Sequence, residues 1–206
     1  MQITFTRHGE SQANRLREFS NKGLKHPLTP AGRAQAAALA DRLQDQQVTH
    51  IYSSPLLRAL ETAIILAGRL GVEYEVVEAL REYDVGVLEG RADPQSWQLW
   101  KEMAEAWLAN QRLEQRIEGG ENYYEIKRRF VPFIEKLVRE FGQSQAHLVC
   151  VGHGGLYRLM LPLVLVNVNQ AYISSQGGFD YAACITSELA PDGLVCASWS
   201  GMTPHP

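Results

Sequence analysis

The chain has 206 residues, of which 45% are hydrophobic and 21% are charged, which predicts one globular domain with a sizeable core. The formal net charge of −3 predicts no basic face, so we expect neither nucleic acid nor an acidic membrane as a partner. Three cysteines without CxxC spacing argue against a disulfide framework or a zinc knuckle. The first residues lack a signal-peptide pattern, and no apolar stretch approaches the length of a membrane span. We therefore expect the protein to work in the reducing cytoplasm.

Strand and helix patterns alternate through the first part of the chain. Apolar and β-branched residues predict strands at 2–6, 48–52 and 75–77. Good helix formers predict helices at 31–43 and from Leu56 to a closing Gly71. Thr29-Pro30 and Ser53-Ser54-Pro55 precede these two helices, and each combines a capping hydroxyl with a proline that suits a helix start. On the second helix we expect an apolar face made of Leu56, Leu60, Ile64 and Ala67.

The second part of the chain predicts more helices and strands in the same manner. We predict helices at 95–108, 121–141 and 156–166, and strands at 147–151, 181–189 and 194–199. Pro132 and Pro162 lie inside two of these helices, where they should kink the helix or move its boundary. The tail from Gly201 should be loose. The order predicts an α/β fold, a three-layer αβα sandwich whose mostly parallel sheet has an antiparallel C-terminal edge.

Polar side chains follow the predicted strands at corresponding places. His8 follows the first strand, Arg58 lies in the first turn of the helix after the second, and His153 follows the fourth. Arg7 ends the first strand, and Glu82 lies just beyond the short third strand. Because the carboxyl ends of parallel strands meet at one edge of a sheet, one crevice could collect these side chains.

This combination of side chains favours phosphoryl transfer. Arginines donate paired hydrogen bonds to phosphoryl oxygens, a neutral imidazole can attack phosphorus, and a carboxylic acid can protonate the leaving oxygen. Two arginines would repel a metal ion, and the chain has no HxH or HExxH spacing, so we predict no metal and no cofactor. Seven residues separate Cys150 from Arg158, where a cysteine-phosphatase loop has five. The P-loop and dinucleotide-binding motifs are absent.

These motifs resemble the signature of the histidine phosphatase superfamily, the phosphoglycerate-mutase-like proteins. The likeness covers nearly the whole chain in order: Arg7-His8-Gly9-Glu10-Ser11 with Asn14, Pro27-Leu28-Thr29, Ser53-Ser54-Pro55 with Arg58, Glu82, Gly119-Gly120-Glu121 and Gly152-His153-Gly154-Gly155. It implies that His8 is the phosphorylated nucleophile and Glu82 the proton donor. It also implies a phosphate pocket of Arg7, Arg58 and His153, with Asn14 and Gly154 as substrate contacts. Lys25 and Asn122 depart from the family pattern, but neither position belongs to the catalytic set.

Three functions remain open at this point. The short connection between Gly90 and Gly119 resembles that of the family's small phosphatases, so we expect a metal-independent phosphomonoesterase that uses a phosphohistidine and acts on a small phosphorylated metabolite. A phosphoglycerate mutase is the alternative, and a phosphate-binding or interaction module of low activity is the third. We expect a single domain over 1–206 with a helical, lid-like insertion at about 91–120.

Two further questions are left open by the sequence. The helix that carries Trp97, Trp100 and Trp107 could cover the site, although helical spacing favours simple packing. The sequence leaves homo-oligomer formation undecided.

Overall fold

The computed structural model describes residues 1–109, 111–177 and 179–202. The strands are β1 (Gln2–Arg7), β2 (Val48–Ser53), β3 (Tyr74–Val76), β4 (His147–Gly152), β5 (Cys184–Ala190) and β6 (Gly193–Trp199). The helices are α1 (Gln12–Leu16), α2 (Pro30–Leu43), α3 (Leu57–Leu70), α4 (Pro94–Leu108), α5 (Tyr123–Phe141), α6 (Gly154–Met160) and α7 (Gln170–Ser175). Most of the tail predicted to be loose, residues 203–206, lies outside the described residues.

The six strands form one mixed sheet in the order β3-β2-β4-β1-β5-β6. Strands β3, β2, β4 and β1 run parallel, whereas β5 runs antiparallel to β1 and β6 runs antiparallel to β5. The predicted antiparallel C-terminal edge is therefore confirmed. Because β1, β2 and β4 are neighbours with the same direction, their carboxyl ends lie side by side.

Helices cover both faces of the sheet, which confirms the predicted three-layer sandwich. On one face, α2 and α3 pack on Val149 and Val151 through small and branched side chains such as Ala40 and Leu66. On the other face, α5 and α6 pack on Leu148 and its neighbours. Alternate residues of β4 enter opposite layers, as the pleat of a strand requires. Within the ranges described, no helix has the length and apolar character needed to cross a bilayer.

Of the two predicted helix starts, Thr29-Pro30 caps α2 as expected, whereas α3 begins after Leu56 without a side-chain cap, so Ser53-Ser54-Pro55 precedes that helix without capping it. Thr29 Oγ1 accepts a hydrogen bond from the Gly32 N–H at 3.0 Å, with Pro30 at the first position of α2. Gly71 adopts a left-handed conformation (φ +68°) and ends α3 as predicted. Helix α5 continues through Pro132, so that proline moves neither boundary.

Four details differ from the predictions. Ile64 is 50% exposed, and Ala59, Ala63 and Leu66 are buried in its place. The reason is that α3 packs closely on α2 and the sheet, which small side chains permit. The predicted helix 156–166 ends at Met160 and becomes a 3₁₀ turn over Leu161–Leu163, because Pro162 has no N–H to continue the helical pattern. Helix α7 was not predicted, and β5 begins at Cys184 rather than at residue 181.

Candidate active site

Parallel strands bring the predicted polar groups to one edge of the sheet. Arg7 is the last residue of β1 and His8 follows it, while His153 follows β4 and caps α6. Arg58 lies in the first turn of α3, the helix that follows β2. The side chains of Arg7, His8, Arg58 and Glu82 line one cavity of about 260 Å³, and the ring of His153 lies beside that of His8. The juxtaposition predicted from strand order therefore occurs.

Two glycines let the loop after β1 pack against the start of α2. A Cβ atom on Gly9 would lie 2.3 Å from the carbonyl oxygen of Gly32. A Cβ atom on Gly32 would lie 2.0 Å from the carbonyl oxygen of Glu10. The Gly9 N–H also donates to Thr62 Oγ1 on α3 at 3.2 Å. This close contact fixes the backbone that carries the neighbouring histidine.

His8 is held in one tautomer with no proton on Nε2. Its side chain is buried, and Arg58 Nε donates a hydrogen bond to His8 Nε2 at 3.0 Å. Because a guanidinium can only donate, Nε2 carries no proton, and Nδ1–H donates to the Gly9 carbonyl oxygen at 2.6 Å. Burial, and then the positive charges of Arg58 and Arg7, hold the pKa of His8 well below its usual range. His8 is therefore a neutral imidazole whose lone pair points toward a guanidinium.

Arg58 is a buried cation that is fixed from several sides. Nη1 donates to the Ser20 carbonyl oxygen at 2.5 Å, and Nη2 donates to Asn21 Oδ1 at 3.3 Å. Burial lowers the pKa of Arg58 to about 10, so the guanidinium keeps its charge at neutral pH. The fixed geometry suits recognition of an oxyanion, because little side-chain entropy is left to lose on binding.

Arg7 provides a second guanidinium from the carboxyl end of β1. Nη1 donates to the Phe179 carbonyl oxygen at 2.5 Å, and the guanidinium carbon lies 4.2 Å from the ring centre of Tyr181. Burial lowers the pKa of Arg7. Arg7 Nε is buried and has no hydrogen-bond partner within the part of the chain that the structure describes. The side chain thus has an N–H group available for a further acceptor.

His153 lies beside His8, with 5.1 Å between the ring centres. Ser54 Oγ is 2.7 Å from His153 Nε2 and also accepts a hydrogen bond from the Leu56 N–H. When the hydroxyl of Ser54 donates to Nε2, the ring proton of His153 is on Nδ1. Nδ1 is buried and has no hydrogen-bond partner among the described residues. Burial, and then the charge of Arg58, hold the pKa of His153 well below its usual range.

The carboxyl of Glu82 is positioned by two backbone N–H groups. Oε1 accepts from Tyr83 N at 3.1 Å, and Oε2 accepts from Gly155 N at 3.0 Å. Burial raises the pKa of Glu82, although these N–H groups and Arg58 oppose the shift. A raised pKa keeps the proton on the acid closer to neutral pH, which is the condition for general-acid chemistry.

Both predicted substrate contacts lie at the cavity. Asn14 lines it, but its Oδ1 already accepts from the Ser11 N–H at 3.0 Å and from Ser11 Oγ at 2.8 Å. Only the amide nitrogen of Asn14 is therefore left for a ligand. Gly154 also lines the cavity, and a Cβ atom there would lie 3.5 Å from Arg7 Cδ.

Sequence reasoning missed the residues that hold the two arginines. Asn21 contacts Arg58 and donates from Nδ2 to the Tyr83 carbonyl oxygen at 2.9 Å, and Tyr181 packs on Arg7. Asn21 lies in a segment without periodicity, and residue 181 was assigned to a strand. Only its nearness to the RHG motif could have indicated Asn21. No local pattern indicates Tyr181.

The tryptophans of α4 divide between two roles. Trp97 and Trp100 line the cavity, whereas Trp107 is buried and donates from Nε1 to the Gln115 carbonyl oxygen at 2.8 Å. Simple packing therefore describes Trp107 alone. Among the residues described, His, Cys, Asp and Glu form no group of three or more that could hold a metal ion.

Comparison with known proteins agrees with this geometry. The sequence profile of the histidine phosphatase superfamily (branch 1) matches residues 3–200. The chain belongs to the histidine phosphatase superfamily. A relative from Salmonella choleraesuis named "Probable phosphoglycerate mutase GpmB" is 38% identical over 132 residues, which are 63% of this chain and 59% of that protein. The chain thus spans less than two thirds of the length of this superfamily relative.

Solved structures of phosphatases share the fold of this superfamily member. A mycobacterial glucosyl-3-phosphoglycerate phosphatase in complex with VO3 has a TM-score of 0.79 and 26% identity, covering 96% of this chain and 98% of that one. A putative alpha-ribazole-5'-P phosphatase from Escherichia coli has a TM-score of 0.77 and 24% identity, covering 97% and 96%. At that identity, the second likeness supports the fold alone. The predicted family and fold class are confirmed.

Proposed function

We propose that this protein is a metal-independent phosphomonoesterase that forms a phosphohistidine on His8 and acts on a small phosphorylated metabolite. The proposal rests on one observation: the unprotonated Nε2 of His8 lies 3.0 Å from Arg58 Nε, in a cavity that Arg7, His153 and Glu82 also line or adjoin. A nucleophile, fixed cations and an acid thus converge where one phosphate ester would fit.

The first step transfers the phosphoryl group to the protein. The Nε2 lone pair of His8 attacks phosphorus, and the bond from phosphorus to the ester oxygen breaks. Glu82 gives its proton to that oxygen, so the product leaves as a neutral alcohol and Glu82 becomes a carboxylate. Arg7 and Arg58 donate to the phosphoryl oxygens, on which negative charge is concentrated. Arg58 Nε must exchange its hydrogen bond with His8 for one with the phosphoryl group.

The second step returns the protein to its starting state. Glu82 takes a proton from a water molecule, whose oxygen attacks phosphorus while the bond to His8 Nε2 breaks. Inorganic phosphate leaves with the imidazole neutral and the acid protonated again. During the intermediate, the Gly9 carbonyl oxygen accepts Nδ1–H and stabilises the positive ring.

The buried N–H groups without partners also support a phosphate as the ligand. Arg7 Nε and His153 Nδ1 would each gain an acceptor from a phosphoryl oxygen. A buried donor without a partner costs roughly 1–3 kcal/mol, so binding a phosphate would recover part of this cost. The arginines supply positive charge, which makes a divalent metal unnecessary for this chemistry.

A phosphoglycerate mutase is the second candidate, favoured by the 38% identity to the protein named as a probable phosphoglycerate mutase. It would share the first step and differ in the acceptor, which would be a sugar-acid hydroxyl instead of water. Flux between 2- and 3-phosphoglycerate, primed by a bisphosphoglycerate and exceeding phosphate release, would favour the mutase.

The test of the phosphatase is phosphate release from p-nitrophenyl phosphate with chelator present. We expect turnover by the wild type, none by His8→Ala, and unchanged turnover by His50→Ala, whose side chain does not line the cavity. Wild-type release no faster than that of His8→Ala would overturn the proposal.

We further propose that residues 1–206 form a single domain in which about 91–120 is a helical, lid-like insertion beside the cavity. We also propose that the protein works in the cytoplasm.

A further inference from the structure

The cavity has an aromatic wall next to the groups proposed for phosphoryl transfer. We define the aromatic wall as Phe19, Trp97 and Trp100, all of which line the cavity. The rings of Phe19 and Trp97 are stacked with centres 4.2 Å apart, and Trp97 meets Trp100 edge to face at 5.7 Å. These are the mutual arrangements that aromatic rings prefer. The wall is therefore a packed unit rather than scattered side chains.

The polar edges of the aromatic wall are already bonded within the protein. Trp97 Nε1 donates to the Arg17 carbonyl oxygen at 2.8 Å, and Trp100 Nε1 donates to Tyr83 Oη at 2.7 Å. What the two indoles offer to a ligand is therefore ring surface and not hydrogen-bond donors. A ligand group that contacts this wall gains by stacking and by removal of apolar surface from water.

The backbone fixes the aromatic wall before any ligand arrives. The Phe19 N–H donates to the Arg91 carbonyl oxygen at 2.9 Å, and the Phe19 carbonyl oxygen accepts from the Gly90 N–H at 2.8 Å. Phe19 is therefore held to the segment that leads into α4. A pre-formed surface loses little conformational entropy on binding, which favours recognition of a rigid group.

The charged side chains near the aromatic wall have both signs. Apart from the side chains proposed for phosphoryl transfer, the described lining residues carry two charged side chains, Glu18 and Arg158. Glu18 Oε1 lies 2.9 Å from His26 Nε2, and Arg158 Nη1 donates to the Gly177 carbonyl oxygen. Arg17 is a further cation at the wall, because its guanidinium carbon lies 6.0 Å from the ring centre of Trp97. Charge therefore does not exclude a second anionic group, and the selectivity of the wall rests on its ring surface.

We propose that the preferred substrates are phosphate esters of an alcohol that ends in an aromatic ring, and that the aromatic wall binds this ring. The inference rests on the proposed phosphatase function and names its substrate class. Stacking and burial of one ring should raise affinity about tenfold over an alkyl analogue. The same wall makes small phosphorylated sugar acids poor ligands, because they have no ring with which to cover it.

Binding of non-hydrolysable phosphonates tests the inference without requiring turnover. We would measure Kd by calorimetry for 3-phenylpropyl-, 3-cyclohexylpropyl- and propylphosphonate. The wild type should bind the phenyl compound about tenfold more tightly than the propyl compound, with the cyclohexyl compound between them. Trp97→Ala should reduce the phenyl-to-propyl ratio to below about threefold, whereas Trp97→Phe should keep most of it. Leu99→Ala, an exposed position on the same helix that does not line the cavity, should leave the ratio unchanged.

The outcomes separate this inference from the proposed function. Equal wild-type affinity for the phenyl and propyl compounds would overturn the inference, as would a cyclohexyl compound that binds as tightly as the phenyl one. A phenyl preference that survives in a folded Trp97→Ala protein would contradict the role of the wall. Should that variant not fold, the Trp97→Phe and wild-type measurements decide. If the corresponding phosphates are hydrolysed without a preference for the phenyl compound, the inference about the aromatic wall is wrong and the phosphatase proposal stands. If the phenyl compound binds preferentially but no phosphate is hydrolysed, the phosphatase proposal is wrong and the inference about the wall stands.

Discussion

Replacing Gly155 with alanine would place a methyl group against the proposed proton donor. The Cβ atom would lie 2.8 Å from Glu82 Oε2, 2.9 Å from Glu82 Oε1 and 2.8 Å from Tyr83 Cε1. Tyr83 is buried and its hydroxyl is bonded to Trp100, so the carboxyl of Glu82 is the group more free to move. The same movement would weaken the hydrogen bond from Gly155 N to Oε2.

The size of the effect follows from the displacement. Relieving a 2.8 Å contact moves the carboxyl of Glu82 by several tenths of an ångström or more. Misplacement on the order of 1 Å costs about 100-fold in rate, which is also within the contribution of a general acid. We therefore expect kcat/KM of Gly155→Ala, which reports the first step, to fall about 100-fold on an alkyl phosphate, whose poor leaving group needs the proton. For p-nitrophenyl phosphate, a good leaving group, the fall should be about tenfold or less.

Steady-state kinetics on the two substrates, with Gly68→Ala as the matched control, would check this expectation. Gly68 is exposed on α3, and a Cβ atom there would contact nothing within 4 Å. Gly68→Ala should leave kcat/KM unchanged and stabilise the protein by about 1 kcal/mol through helix propensity. If Gly155→Ala folds and either keeps its kcat/KM on the alkyl phosphate or loses kcat/KM equally on both substrates, the reasoning about Glu82 as the proton donor is refuted.

Two further predictions concern protonation and the hold on Arg58. Burial and the arginines keep the pKa of His8 low, and His8 is neutral at any pH above it. Burial raises the pKa of Glu82, and Glu82 keeps its proton at any pH below that raised value. The pH–rate profile of the wild type should therefore be bell-shaped, and Glu82→Gln should remove its alkaline limb. A flat wild-type profile over about pH 5 to 8 would contradict the assignment of His8 as nucleophile and Glu82 as acid. Asn21→Ala removes the acceptor of Arg58 Nη2 and the donor to the Tyr83 carbonyl oxygen. We expect kcat to fall about tenfold, because Arg58 is then held less firmly. A folded variant with wild-type kcat would show that Asn21 does not position Arg58.

The sequence was sufficient for the parts of the fold that local chemistry decides. Thr29 and Gly71 act as the helix caps that their residue types predict. The buried pattern of 147–151 yields the central strand β4. Once β1, β2 and β4 are parallel neighbours, His8, Arg58 and His153 must meet at one edge, so strand order alone predicts their juxtaposition.

Features that depend on distant partners were beyond the sequence. The exposure of Ile64 depends on how closely α3 packs on α2, and apolar periodicity cannot report that distance. The segment before β5 departs from a strand because Ala182, with φ of +54°, turns back so that its N–H donates to the Arg7 carbonyl oxygen at 3.1 Å. That turn places Tyr181 on Arg7. Such contacts join residues about 170 positions apart and leave no local pattern.

Trapping the covalent intermediate tests the central proposal most directly. A single turnover would be quenched on the millisecond scale in alkali, where a phosphorus–nitrogen bond to histidine survives, and the peptides would be analysed by mass spectrometry. The account predicts a transient phosphoryl group on the peptide that contains His8, and none in His8→Ala. Phosphate released during the turnover without a phosphopeptide at any time, or with the phosphoryl group on another residue, would contradict it.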